Sequence, residues 1–173
     1  MSVKDILQGK WLHHPVHAAV VHLPLGLWLG ACVLDILIRA GLDEPVFADL
    51  SACAVGLGLL GAAIAAPTGI ADWSSIKRGK PAWTLGLYHM LLNIAATLVW
   101  AANLWLRLRT IDDADPVTLP VLVLSILGGL LLLVSGYLGS LLTFDRGVSV
   151  ARLSKARWRA EAERGGARLP KKD

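Results

Sequence analysis

Apolar residues fill four long stretches of the chain, and charged residues collect in the short segments between them. Four windows contain no Asp, Glu, Lys or Arg: Trp11–Leu34, Leu50–Ala71, Pro81–Leu106 and Pro116–Phe144. Each supplies the roughly 20 residues a helix needs to cross a bilayer. The pattern predicts an all-α fold: an integral membrane four-helix bundle, up-down-up-down, with spans at about 15–39, 46–72, 82–107 and 117–144. A short interfacial segment, Ser2–Leu12, leads into this domain of residues 1–146, and a basic amphipathic tail, residues 147–173, follows it.

Within the spans the polar and small positions are informative. Pro15 suits the first turn of the first span. Pro24 should kink that span and free the carbonyl of Val20, one turn earlier. Asp35 and Arg39 are four apart and could pair along the helix. Gly26 and Gly30 in the first span, and Ala54, Gly58, Ala62 and Ala66 in the second, have the small-residue spacing that lets helices approach closely in lipid. Such faces would also suit a homodimer contact. In the third span His89, Asn93, Ala96, Trp100 and Asn103 share one face, which should point into the bundle. Small positions recur in the fourth span at Gly128, Gly129, Ser135, Gly136, Gly139 and Ser140. Cys32 and Cys53 read as small packing residues, and Trp73, Trp83 and Trp105 as interfacial anchors at helix ends.

Composition agrees with a membrane protein: 55% of residues are hydrophobic and 17% charged, against about 25% charged in soluble domains. Lys4, Lys10, Lys77, Arg78, Lys80 and the basic residues from Arg146 onward share one end of the bundle. Arg39, Arg107 and Arg109 flank the opposite loops, among Asp43, Glu44, Asp112, Asp113 and Asp115. The positive-inside bias predicts cytoplasmic termini. The net charge of +4 follows from this asymmetry and from a tail suited to an anionic bilayer surface, with no indication of nucleic-acid binding. Leu29-Gly30-Ala31-Cys32 has the form of a lipoprotein cleavage box, but the apolar run is broken by His22 and Pro24 and continues past the cysteine, so retention of the first span is expected.

The histidines carry the chemistry. An ionisable residue inside a span is a functional-site hypothesis by default, and His22 and His89 lie some 8–10 Å inside their spans from the same end. Two neutral imidazoles on diagonal helices of such a bundle could supply both axial ligands of a b-type haem. Gly26 and Gly30 would leave room for the macrocycle, and Arg146, foremost among Lys77, Arg78 and Lys80, could meet its propionates. His17, Asp72 and Asn93 would orient the imidazoles. A transition-metal ion on His14, His17, His22 and Asp72, serving metal binding or solute transport, is a second reading. A structural subunit whose histidines pack or relay protons is a third. Covalent haem attachment needs Cys-x-x-Cys-His, which is absent; no phosphate loop, dinucleotide fingerprint or nucleophile beside a base is visible, so stand-alone enzymatic chemistry is not expected.

His14-Pro15-Val16-His17 followed by Val21-His22-Leu23-Pro24-Leu25-Gly26 resembles the hallmark of a bacterial membrane-protein family, domain of unknown function 2231. Thr68-Gly69-Ile70-Ala71-Asp72-Trp73 is similar to its Gly-x-x-Asp-(Trp/Tyr) element, His89 with Asn93 to its third-helix histidine, and Gly136–Val150 to its closing segment. The similarity runs from about Leu12 to Val150. Ala18 stands where the family often has Pro, and Arg146 where it often has His. Fusion of some relatives to Rieske iron–sulfur domains implies electron transfer, with a Rieske-type protein or a quinone as the partner.

Overall fold

Helix-forming apolar sequence and a few Pro and Gly breaks account for the whole architecture. The computed structural model describes residues 1–42, 45–110, 115–149 and 155–167. Asp43, Glu44, Asp112, Asp113, Val150 and Arg152, on which parts of the charge and family readings fall, lie outside the described residues. Among the described residues seven α-helices follow in order: α1 (Val3–Leu7), α2 (Val16–Val20), α3 (His22–Arg39), α4 (Pro45–Trp73), α5 (Pro81–Arg109), α6 (Leu119–Phe144) and α7 (Lys155–Arg164). The unit α2–α3, and α4, α5 and α6, are each long and apolar enough to cross a membrane. Pro24 explains the α2/α3 junction: it has no N–H for the Val20 carbonyl, which interrupts the helical ladder there. Val21 itself keeps right-handed helical angles, so Val16–Arg39 runs on as one span, and Pro15 caps α2 rather than entering its first turn.

Helix α1 opens on a capping box between Ser2 and Asp5. The Lys10 ammonium and the Ser2 donors hold the Asp5 carboxyl well below the usual carboxylate range. The segment then folds back on α4, where the Gln8 amide donates to the Ala71 carbonyl at 3.1 Å and to the Ser75 hydroxyl at 2.8 Å.

Four helices form a square in which α3 packs on α4 and α6, and α5 on α4 and α6, so α3 and α5 are diagonal. The buried stripe of α4 is Ala48, Ser51, Val55, Gly58, Gly61, Ala65, Thr68 and Ala71. Of the expected four-residue series only Gly58 lies on it, because a bundle seam drifts toward a 3.5-residue period. Cys53 is exposed rather than packed, whereas Cys32 lies against Gly129.

Three layers fill the diagonal between α2–α3 and α5. At the end carrying the N-terminus, the rings of His17 and His89 are 6.5 Å apart. In the middle, Trp28 and Trp100 stack at 5.6 Å with planes 10° apart. At the far end Arg107 pairs with Asp35 at 2.5 Å, with side-chain exposures of 5% and 0%. This corrects the expected Asp35–Arg39 pair; Arg39 instead reaches Asp115. Asp35 also accepts from the hydroxyls of Ser51 and Ser125, and Arg107 donates to Asn103. All four spans contribute to this cluster.

The layers expose an internal repeat. His17 to Trp28 and His89 to Trp100 are both 11 residues, and Trp28 to Asp35 and Trp100 to Arg107 are both 7. On the companion helices, Gly58 lies against the Trp28 indole and Gly69 against the His17 ring, as Gly128 lies against Trp100 and Gly139 against His89. The unit α2–α3–α4 and the hairpin α5–α6 are thus two copies of one design, and each layer pairs equivalent residues. One difference stands out: Trp28 Nε1 donates to the Val55 carbonyl at 3.2 Å, while Trp100 Nε1 is buried with no partner among the described residues.

Breaking a buried ion pair by removing one partner costs about 3–5 kcal/mol. Asp35→Asn and Arg107→Met should each lower the thermal midpoint in detergent accordingly, whereas the exchange Asp35→Arg with Arg107→Asp should recover most of the loss because the positions are equivalent. An exchange as damaging as the single changes combined would contradict that equivalence. Trp28→Phe, which forfeits a hydrogen bond, should destabilise more than Trp100→Phe, which removes an unsatisfied donor; the same melting assay compares them.

Candidate functional site

Helix geometry decides which histidine enters the core. His17 and Asp35 are 18 residues apart, or five full turns at 3.6 residues per turn, and the same interval separates His89 from Arg107. Both rings therefore project onto the faces that the ion pair turns inward. His22 is five residues from His17, about 140° around the helix. Its ring is on the exterior, with Nδ1 3.3 Å from the Ala19 carbonyl of its own helix. The structure therefore brings His17, not His22, to His89.

Each core imidazole is held by the helix packed behind it. His17 Nδ1 lies 3.1 Å from the Ala65 carbonyl and 3.2 Å from the Thr68 hydroxyl. His89 Nδ1 lies 2.9 Å from the Ser135 carbonyl and 3.1 Å from the Ser135 hydroxyl. A carbonyl only accepts, so both Nδ1 atoms carry a proton, and in a neutral ring Nε2 then presents the lone pair. The Nε2 of His89 accepts from the Asn93 amide at 3.2 Å, and that amide also donates to the Ser135 hydroxyl at 2.6 Å. No hydrogen bond to His17 Nε2 is found among the described residues. Ring planes stand at 87°. At Gly69 an added Cβ would come within 2.8 Å of His17 Cε1, and at Gly139 within 3.1 Å of His89 Cε1, so the glycines are seats for the rings.

The other expected site residues are dispersed. Gly26 and Gly30 share the exterior stripe of His22 and face open space, so they do not frame a slot against His89. His14 is exposed. Asp72 sits at the end of α4, where it accepts from the Ser149 hydroxyl at 3.2 Å. Arg146 lies just past α6, exposed, and lines a surface groove with Tyr88. Among the described residues no three of His, Cys, Asp or Glu gather closely enough to hold a metal ion, so the set His14, His17, His22 and Asp72 is not assembled. Sequence reasoning also missed the Asp35–Arg107 cluster; the repeated 11- and 7-residue intervals were the available signal.

A four-helix bundle of bilayer-crossing length, with a paired-histidine layer near one end, defines the chain as an integral membrane protein. It belongs to the predicted membrane protein family known as domain of unknown function 2231, whose pattern matches residues 13–152. No curated protein and no solved structure matches the chain.

His22→Ala should change stability by no more than about 0.5 kcal/mol, as for an exposed position. His17→Ala and His89→Ala, which leave buried hydrogen-bonding groups without partners, should each destabilise by about 1–3 kcal/mol. Thermal unfolding of the three variants in one detergent makes the comparison. A larger loss at His22 than at the other two would refute the assignment of the core pair.

Proposed function

We propose that the His17–His89 pair is a cofactor site and that the cofactor is a b-type haem, which makes the protein a membrane electron carrier. The observation that carries this reading is the pair itself: two imidazoles across the bundle diagonal, each with Nδ1 tied to a backbone carbonyl, the Nε2 of His17 without a hydrogen bond among the described residues and the Nε2 of His89 held by the Asn93 amide, which a ligand would displace. Metal-bound histidines have this outer-shell arrangement. The two rings lie 6.5 Å apart, close enough for one group to be held by both. A two-ligand site is too sparse for a structural zinc ion but suffices for haem, whose macrocycle completes the coordination. When bound, the group would supply reversible one-electron chemistry. His17 and His89 would hold it; Asn93, Thr68 and Ser135 would fix their tautomers; and the small faces at Gly69 and Gly139 would seat the rings.

The charge asymmetry supports a bacterial inner-membrane location with the histidine layer on the cytoplasmic side. A quinone or a Rieske-type protein is the class of redox partner the family resemblance favours. For self-association, the exterior stripe of His22, Gly26 and Gly30 is the face we assign to a second copy.

Protein expressed with added haem precursor and purified in detergent should show a Soret band and a sharp α band in its reduced-minus-oxidised spectrum. Both should vanish in His17→Ala and in His89→Ala and persist in His22→Ala. A wild-type protein without Soret absorbance would overturn the proposal in favour of a cofactor-free histidine pair. Retention of the bands in His17→Ala would overturn the ligand assignment.

A further inference from the structure

The two halves differ in how the histidine end is closed. In the first half, α1 covers the end of α4, and Gln8 donates its amide hydrogens to the Ala71 carbonyl and the Ser75 hydroxyl. By the repeat, Ala71 corresponds to Leu141 and Ser75 to Asp145, the α4 and α6 positions differing by a constant 70 residues. At that place the second half has an open groove of about 430 Å³ between α5 and α6. Its walls are Pro81, Leu85 and Leu141, and its polar groups are Thr84, Tyr88, Asp145 and Arg146.

We propose that this groove binds the headgroup of a phospholipid bearing a free primary amine, of the phosphatidylethanolamine class. Level is the first argument. Pro81 begins α5, and Asp145 and Arg146 directly follow the last residue of α6, so the groove opens where membrane-length helices meet the headgroup layer. Apolar walls run from there toward the bilayer, as an acyl chain requires. Charge is the second argument. Asp145 and Arg146 are adjacent and of opposite sign, and neither has an ion-pair partner among the described residues. A phosphate beside an ammonium is the complementary arrangement: guanidinium to phosphate, and ammonium to carboxylate. The repeat supplies the third. Where Gln8 brings N–H donors to Ser75, the lipid ammonium brings them to Asp145. Thr84 and Tyr88 add hydroxyls for the ester and phosphate oxygens. The site stands apart from the histidine pair and does not depend on the haem reading.

The full chain in detergent can be titrated with phosphatidylethanolamine, phosphatidylcholine and phosphatidylglycerol and the bound lipid counted by native mass spectrometry. Phosphatidylethanolamine should bind roughly tenfold more tightly than the other two, since one lacks N–H donors and the other lacks the cation. Asp145→Asn should abolish that preference while leaving phosphate-dependent binding, and Arg146→Gln should weaken all three lipids. Both residues are exposed, so the variants should fold; thermal midpoints check this. Equal binding of the three lipids, tighter binding of phosphatidylglycerol, or an unchanged preference in Asp145→Asn would overturn the proposal.

Discussion

The buried pair of Asp35 and Arg107 sets the geometry of everything else. In lipid, apolar surface drives helices together only weakly, so packing and polar contacts decide their rotation. Here one carboxylate accepts from α4, α5 and α6 at once, and the guanidinium is steadied by Asn103 on its own helix. Asn103 in turn donates to Ser125 and to the Val121 carbonyl of α6. A helix whose end is fixed in rotation is fixed along its length. Five turns away the same faces carry His17 and His89, and between them Trp28 and Trp100. The histidine pair is thus a consequence of an ion pair at the other end of the bundle.

This dependence explains what was legible in the sequence. Length and apolarity identify the four spans, and the polar face of α5 from His89 to Asn103 lies inward as its periodicity predicts. Pro24 marks the interruption in the first span correctly. The failures share one cause: local spacing was trusted where a tertiary contact decides. Asp35 has Arg39 one turn away, yet burial in an apolar bundle favours a partner that can also be enclosed, and only Arg107 lies on a facing inner surface. His22 is the deeper histidine by residue count, yet depth says nothing of direction. Once Asp35 is known to face inward, helix rotation places His17 on the core side and His22 outside, without further information.

The repeat adds a constraint that neither half shows alone. On a pseudo-twofold axis a residue meets its own equivalent. Neutral imidazoles and indoles tolerate self-pairing, so the histidine and tryptophan layers keep the same residue in both halves. A carboxylate meeting a carboxylate in a low-dielectric core would repel strongly, so the third layer differs between the halves, Asp in one and Arg in the other. With both halves in one chain the two positions are separate residues and can differ.

Symmetry at one end and closure in the middle bear on what the bundle can do. Trp28 and Trp100 are at most 2% exposed, and each indole lies directly against a glycine of the next helix. A solute or ion path along the axis would have to part this stack and then the ion pair behind it, and both contacts are needed to hold the helices together. Transport along the axis therefore conflicts with the packing. The core carries polar groups at both ends, the ion-pair cluster at one and the histidine layer at the other, the latter roughly 16 Å from the tryptophans along the helix axis. A site of that kind serves one face of the membrane. The layer gives His17, at the entrance of the first span, the same rank as His89.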